Sequence, residues 1–100
     1  MAQLTTLARR YFVSKAGGAL PTESLASIQR RYWLTLLGGA ATKGFISLEQ
    51  DWLRKIIADN GGTPSGDYLS NLYIQAVASL GGTPTKFINE NKKLVYILDL

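Results

Sequence analysis

The sequence predicts a mainly α fold of four short helices in tandem helix-turn units, followed by a C-terminal β-hairpin or extended arm. Tandem units of about 20 residues bury their apolar faces only by stacking on their neighbours. We therefore predict a helical repeat domain over residues 1–82 and an arm over residues 83–100. The main observation is a glycine doublet that recurs at intervals of 21, 23 and 20 residues, at 17–18, 38–39, 61–62 and 81–82.

The first two units match residue by residue. Leu-Thr-Thr-Leu-Ala-Arg-Arg-Tyr-Phe-Val at 4–13 corresponds to Leu-Ala-Ser-Ile-Gln-Arg-Arg-Tyr-Trp-Leu at 25–34. At 100° per residue, the apolar residues of each segment fall on one face of a helix, with Trp33 at its edge, and the arginine pairs fall on the opposite face. The two segments are therefore predicted to be equivalent amphipathic helices.

The third and fourth units carry a broader apolar stripe, which predicts inner helices that are covered on more than one side. Trp52 lies in this stripe, so it is predicted to be a core residue, as is Trp33. The first glycine of each doublet is predicted to end its helix with a left-handed backbone, and Ser47 to cap the third helix. The four predicted helices span residues 3–16, 22–37, 47–59 and 66–80.

The repeat fails in the last 18 residues. If the register continued, Lys92 would take the position of Trp52 and would be buried without a partner. Residues 86–88 and 94–98 are rich in strand-forming side chains, and residues 89–91 have turn chemistry. A hairpin or extended arm is favoured over a fifth helix. Because a lone hairpin is marginal in water, we expect it to pair with strands of another subunit.

Composition excludes several kinds of site. The chain has no cysteine and no histidine, so it has no disulfide framework and none of the usual thiolate or imidazole ligands, nucleophiles and bases. The acidic residues Glu49, Asp51, Asp59 and Asp67 are expected on the surface and are too few for a paired-carboxylate or metal site. The prediction is a protein without enzymatic activity, metal or cofactor.

The longest apolar stretch, residues 32–42, is about half of the ~20 residues that span a bilayer, so no membrane association is expected. Charge is uneven along the chain. Residues 1–43 contain six basic and one acidic side chain, net +5, whereas residues 44–100 contain five and six, net −1. The basic half is expected to meet a polyanion or an acidic protein surface.

Three features suggest partner binding. The arginine pairs could follow phosphates as a stripe, although a solvated helix face is favoured. Val13 and Leu34 are equivalent and point away from the apolar face, which suggests a contact between subunits. Aromatic side chains could stack on bases, but their helical spacing favours core packing. The predicted partner-binding residues are Arg9, Arg10, Val13, Arg30, Arg31, Leu34, Leu94, Val95, Tyr96, Ile97 and Leu98.

A repeated junction carries a resemblance to a known family. Gly-Gly-Thr-Pro-Ser at 61–65 and Gly-Gly-Thr-Pro-Thr at 81–85 share their punctuation, and a short helix with Leu-Tyr follows the first, within 67–73. Residues 17–85 resemble small proteins of tailed-bacteriophage particles that carry tandem Leu-Gly-Gly-Thr-Pro helical units and are encoded among head and tail structural genes. Those proteins usually end on a helix, whereas this chain ends on a strand-like segment.

The resemblance implies a virion structural role and brings no catalytic residues. The expected protein is a head decoration, neck or tail accessory component that binds a larger capsid, portal or tail protein. It would be a homo-oligomer or be present in multiple copies, in the virion and, during assembly, in the host cytoplasm. The alternative is a small basic nucleic-acid-binding protein that uses residues 1–43.

Overall fold

The structure is a computed structural model that describes residues 4–38, 43–83, 94–95 and 97–98. The mainly α fold is confirmed, and no described residue lies in a strand. Each helix packs on the next helix along the chain. Within the described ranges the helices are α1 (Leu4–Ala16), α2 (Leu25–Leu37), α3 (Phe45–Asp59) and α4 (Leu69–Ser79).

The glycine doublets end three helices with the same hydrogen-bond arrangement. The first glycine takes a positive φ, as at Gly61 and Gly81, where φ is 84° and 83°. The amide of the second glycine then donates to the carbonyl oxygen five residues earlier, which is the Schellman termination. Gly17 and Gly38 also have positive φ, so the prediction of left-handed helix stops is confirmed. The three bonds run from Gly18 to Val13, from Gly62 to Ile57 and from Gly82 to Val77, at 2.8, 2.9 and 2.9 Å.

The second glycine of two doublets has a separate function, because a side chain would not fit there. A Cβ atom on Gly62 would lie 2.8 Å from Cγ2 of Ile57. A Cβ atom on Gly82 would lie 2.9 Å from Cγ1 of Val77 and would collide with Ile97. These two doublets therefore combine a backbone reversal with close packing of the second glycine on the helix that it follows.

The helix starts differ from the predicted ones. Ser24 caps α2, and its hydroxyl accepts a hydrogen bond from the amide of Ser27 at 3.2 Å. The amide of Glu23 donates to the carbonyl of Leu20, so the chain makes a turn where the sequence predicted the first residues of the helix. Gly44 is the N-cap of α3, so Ser47 lies inside the helix and does not cap it.

One burial pattern recurs in the helices. Buried residues occupy positions i, i+1, i+4 and i+5, except that Tyr32 of α2 is half-buried. This pattern gives a stripe wide enough to contact the helices on both sides. The sets that follow this pattern are Leu7, Ala8, Tyr11 and Phe12 in α1, Ile28, Gln29 and Trp33 in α2, Leu48, Glu49, Trp52 and Leu53 in α3, and Leu72, Tyr73, Ala76 and Val77 in α4. Ile57, four residues after Leu53, extends the buried stripe of α3.

Aromatic rings connect all four helices through the core. The ring centroids of Phe12 and Trp33 are 5.9 Å apart, and those of Trp33 and Trp52 are 5.3 Å apart. Trp52 in turn meets Tyr73 of α4 edge-on at 6.5 Å. Trp33 and Trp52 are 0% and 1% exposed, which confirms the prediction that both are core residues. Pairs of this geometry stabilise a core beyond the area that they bury.

Residues 94–95 and 97–98 of the C-terminal segment have α-helical backbone, where the sequence predicted a strand. Leu94 and Val95 are fully buried in the same core, and Leu98 packs against it. These three occupy positions i, i+1 and i+4, the stripe of the preceding helices, and a helix places such positions on one face whereas a strand would alternate them. The strand prediction therefore does not hold for residues 94–95 and 97–98. The rest of the predicted hairpin, apart from Thr83, lies outside the described residues.

Candidate functional site

The first arginine of each pair bonds to the loop that follows its helix. Arg9 and Arg30 occupy the same position in α1 and α2, and Gln50 occupies it in α3. Each side chain donates to the carbonyl oxygen of the residue just before the N-cap of the next helix. The same contact between one helix and the start of the next therefore recurs in three units. The bonds run from Arg9 to Glu23 at 3.3 Å, from Arg30 to Lys43 at 2.6 Å and from Gln50 to Asp67 at 2.6 Å.

The second arginine position bonds to the loop that precedes its helix. Arg31 donates to the carbonyl oxygens of Ala16 and Gly18, at 3.0 and 2.9 Å, and pairs with the Glu23 carboxylate at 2.7 Å. This hydrogen bond from Arg31 is the main reason that the pKa of Glu23 lies below its usual range. The equivalent residues of α3 and α4, Asp51 and Gln75, bond to Lys43 and to Ser65 in their own preceding loops.

Arg9, Arg30 and Arg31 therefore have a structural function, because they fix the loops between units. The carbonyl contacts leave the positive charge of these side chains in place because main-chain carbonyls are neutral acceptors, whereas the ion pair with Glu23 offsets the charge of Arg31. In residues 4–38, Glu23 is the single acidic side chain beside five basic ones, and it is already paired with Arg31. The charge excess that the sequence predicted lies on α1, α2 and the loop between them.

Two grooves recur with the repeat. Val13 and Leu34 are half-buried and pack partly against the core, so they are less exposed than the sequence predicted. Each lies in an open groove beside its arginine pair and a hydroxyl side chain. Thr6, Arg9, Arg10, Val13 and Leu25 line the first groove, of about 560 Å³, and Ser27, Arg30, Arg31, Leu34 and Thr35 line the second, of about 450 Å³.

The C-terminal residues of the predicted binding surface are not available as an edge strand. Leu94 and Val95 are 0% exposed, so their side chains belong to the core and cannot contact a partner. Ile97 and Leu98 are half-buried against the same core. Tyr96 lies outside the described residues.

A buried acid was missed by the sequence analysis. Glu49 was expected on the surface but is 8% exposed, and its carboxylate accepts a hydrogen bond from the hydroxyl of Tyr73. Burial raises the pKa of Glu49, and the Tyr73 bond offsets part of this effect. Burial also raises the pKa of Tyr73. The equivalent residue of α2, Gln29, is likewise buried, so one position of the apolar stripe accepts a polar side chain.

Most aromatic side chains that could stack on bases are in the core. Tyr11, Phe12, Trp33 and Trp52 are buried, whereas Tyr68 is exposed. Within the described ranges there is no group of three His, Cys, Asp or Glu side chains that could hold a metal ion. None of the described helices is both long and apolar enough to cross a membrane.

No protein-family model, curated protein or solved structure matches the chain.

Proposed function

We propose that the chain is a non-enzymatic structural protein of a tailed-bacteriophage virion. It would serve as a head decoration, neck or tail accessory component and bind a larger capsid, portal or tail protein in multiple copies. The carrying observation is the repeated Gly-Gly-Thr-Pro junction, whose glycines end α3 and α4 in the same Schellman arrangement. The resemblance in sequence to phage repeat proteins therefore lies in the residues that build the repeat.

The surface supports binding of a protein more than binding of nucleic acid. The rival, a small basic nucleic-acid-binding protein, would use the positive charge of α1 and α2. Phosphate contacts alone could use these arginines, but stacking on bases requires exposed aromatic rings. In this region Tyr11, Phe12 and Trp33 are buried and Tyr32 is half-buried. The grooves at Val13 and Leu34 instead offer aliphatic side chains beside cations, a combination that suits a protein partner.

The test is direct detection in particles. Phage particles would be purified from the strain that carries this gene, by density gradient, and the tryptic peptides of the chain quantified against those of the major capsid protein. A fixed ratio through the gradient peak, lost when the gene is deleted, is the expected result. Absence of the chain from intact particles would reject the proposed function.

The rival has its own measurement. Binding of a labelled 20-base-pair duplex would be titrated at 50 mM and 200 mM salt. Binding through several phosphates weakens by roughly 10³-fold or more over this range. Tight binding with that salt dependence, from a chain that is absent from particles, would favour the nucleic-acid function.

A further inference from the structure

The two repeat-equivalent grooves have a definite chemistry. Each is lined by an aliphatic side chain, Val13 or Leu34, by both arginines of a pair and by hydroxyl side chains, and Leu25 adds a second aliphatic side chain to the first groove. The arginines Arg9 and Arg30 are held in place by main-chain carbonyls of the following loops. The guanidinium groups of Arg9 and Arg30 are therefore positioned in advance at these grooves.

We propose that the two grooves form one docking surface for an acidic segment of a partner protein that carries aliphatic side chains. Carboxylates of that segment meet the arginine pairs, and its aliphatic side chains cover Val13 and Leu34. This inference rests on the proposed function, because it gives the chemistry by which the larger partner protein is recognised.

Charge complementarity selects an acidic occupant. Residues 4–38 contain five basic side chains and a single acid, Glu23, which Arg31 already engages. An acidic segment would meet this surface at an increased association rate, and basic segments would be repelled. A nucleic acid would supply negative charge too, but its phosphates would leave the apolar floor at Val13 and Leu25 uncovered.

A second copy of the chain fits this surface poorly. Its own α1 and α2 would bring positive charge against positive charge. Its other described half, residues 43–83, contains three basic and four acidic side chains, and one of the acids, Glu49, is buried, so the surface there has no net negative charge to complement the grooves. Asp51 pairs with Lys43 and Arg54, Asp59 with Lys55 and Asp67 with Arg54, while Glu49 is buried.

The experiment selects ligands without assuming the partner. The full chain, fluorescently labelled, would be used to sort a yeast-displayed library of random 15-residue peptides. We expect enriched peptides that are rich in Asp and Glu and contain at least two of Leu, Ile, Val or Met. Enrichment of neutral or basic peptides, or of none, would overturn the proposal.

Variants then locate the binding surface. Arg10→Glu should weaken binding of the enriched peptides by about tenfold. The matched control, Lys55→Glu, makes the same charge change at an exposed position of α3, outside both grooves, and should have a much smaller effect on binding. Leu34→Ser is the second test variant and should weaken binding as well, with circular dichroism confirming the fold of each. Equal binding by both test variants and the control would overturn the proposal.

Two further measurements test whether nucleic acid or a second copy of the chain occupies the grooves instead. A 20-nucleotide single-stranded DNA that binds more tightly than the best peptide and displaces it would replace the proposal with a nucleic-acid site. A dimer in sedimentation equilibrium that Arg10→Glu dissociates would replace it with a contact between copies. None of these binding measurements uses phage particles. If the chain prefers acidic peptides but is absent from particles, the docking surface is retained and only the virion function is rejected.

Discussion

Replacing Tyr73 by phenylalanine tests the buried polar pair that joins α3 to α4. The substitution removes one hydroxyl group and keeps the ring, so packing against Trp52 is retained. The Glu49 carboxylate, 8% exposed, loses the donor that Tyr73 supplies. Hydrogen bonds to charged groups contribute about 1.5–3 kcal/mol. For a domain of this size, such a loss lowers Tm by about 6–15 °C.

The cost should depend on pH with a definite sign. Burial holds the pKa of Glu49 above its ordinary value of 4.5, and the Tyr73 hydrogen bond works against that shift. An acid whose pKa is raised on folding stabilises the fold below 4.5 and loses that contribution as pH rises through its folded pKa. Without Tyr73 the pKa rises further, so the variant should lose more stability at pH 8 than at pH 4.

The assay is urea unfolding of the wild type and Tyr73→Phe at both pH values, with Tyr68→Phe as the control. Tyr68 is 76% exposed, so the same chemical change there should alter the free energy of unfolding by less than about 0.5 kcal/mol. In a Glu49→Gln background the cost of Tyr73→Phe should shrink, because the amide carries no charge. An equal cost in both backgrounds and at both pH values would refute the reasoning.

Three other substitutions test the repeat itself. Gly61→Val should cost about 1 kcal/mol or more in urea unfolding because φ is 84° there, whereas Gly61→Asn should cost less because asparagine tolerates the left-handed region; similar costs would contradict the left-handed stop. Trp52→Ala should cost roughly 3–5 kcal/mol and largely unfold so small a domain, as seen by far-ultraviolet circular dichroism; a cooperative melt at the wild-type temperature would contradict its place in the core. Arg31→Gln should speed amide hydrogen exchange in the loop at 17–24, because the guanidinium bonds to the carbonyl oxygens of Ala16 and Gly18. Lys55→Gln should leave exchange in that loop unchanged, and equal exchange in the two variants would contradict the structural function of Arg31.

The ends of the helices show why some features could be predicted from sequence. The predicted C-terminal ends of α1, α2 and α3, at residues 16, 37 and 59, agree with the structure. A glycine with positive φ stops a helix by its own conformational freedom, so the signal is local. The predicted starts of α2, α3 and α4 were wrong by two or three residues, because several residues could cap each helix and only the course of the loop selects one.

The sequence did not reveal which polar side chains are buried. Glu49 was assigned to the surface because isolated acids usually lie there, yet it is buried where it meets Tyr73, 24 residues later in the chain. The signal that could have found it is its register, since Gln29 occupies the same position in α2 and is also buried. The sequence similarly placed the arginine pairs on the polar face of each helix but did not identify the loop carbonyls to which they bond.

The sequence by itself determined the mainly α class, the succession of α1 to α4 and the ends of the first three helices, because these depend on periodicity and on the conformational preferences of single residues. It also identified the tryptophans as core residues from their helical spacing. Only the tertiary structure decided what the polar residues do. It assigned three arginines to the loops, Glu49 to a buried hydrogen bond and Leu94 and Val95 to the core, because each of these roles depends on a group that is distant in the chain and reached only when the helices pack.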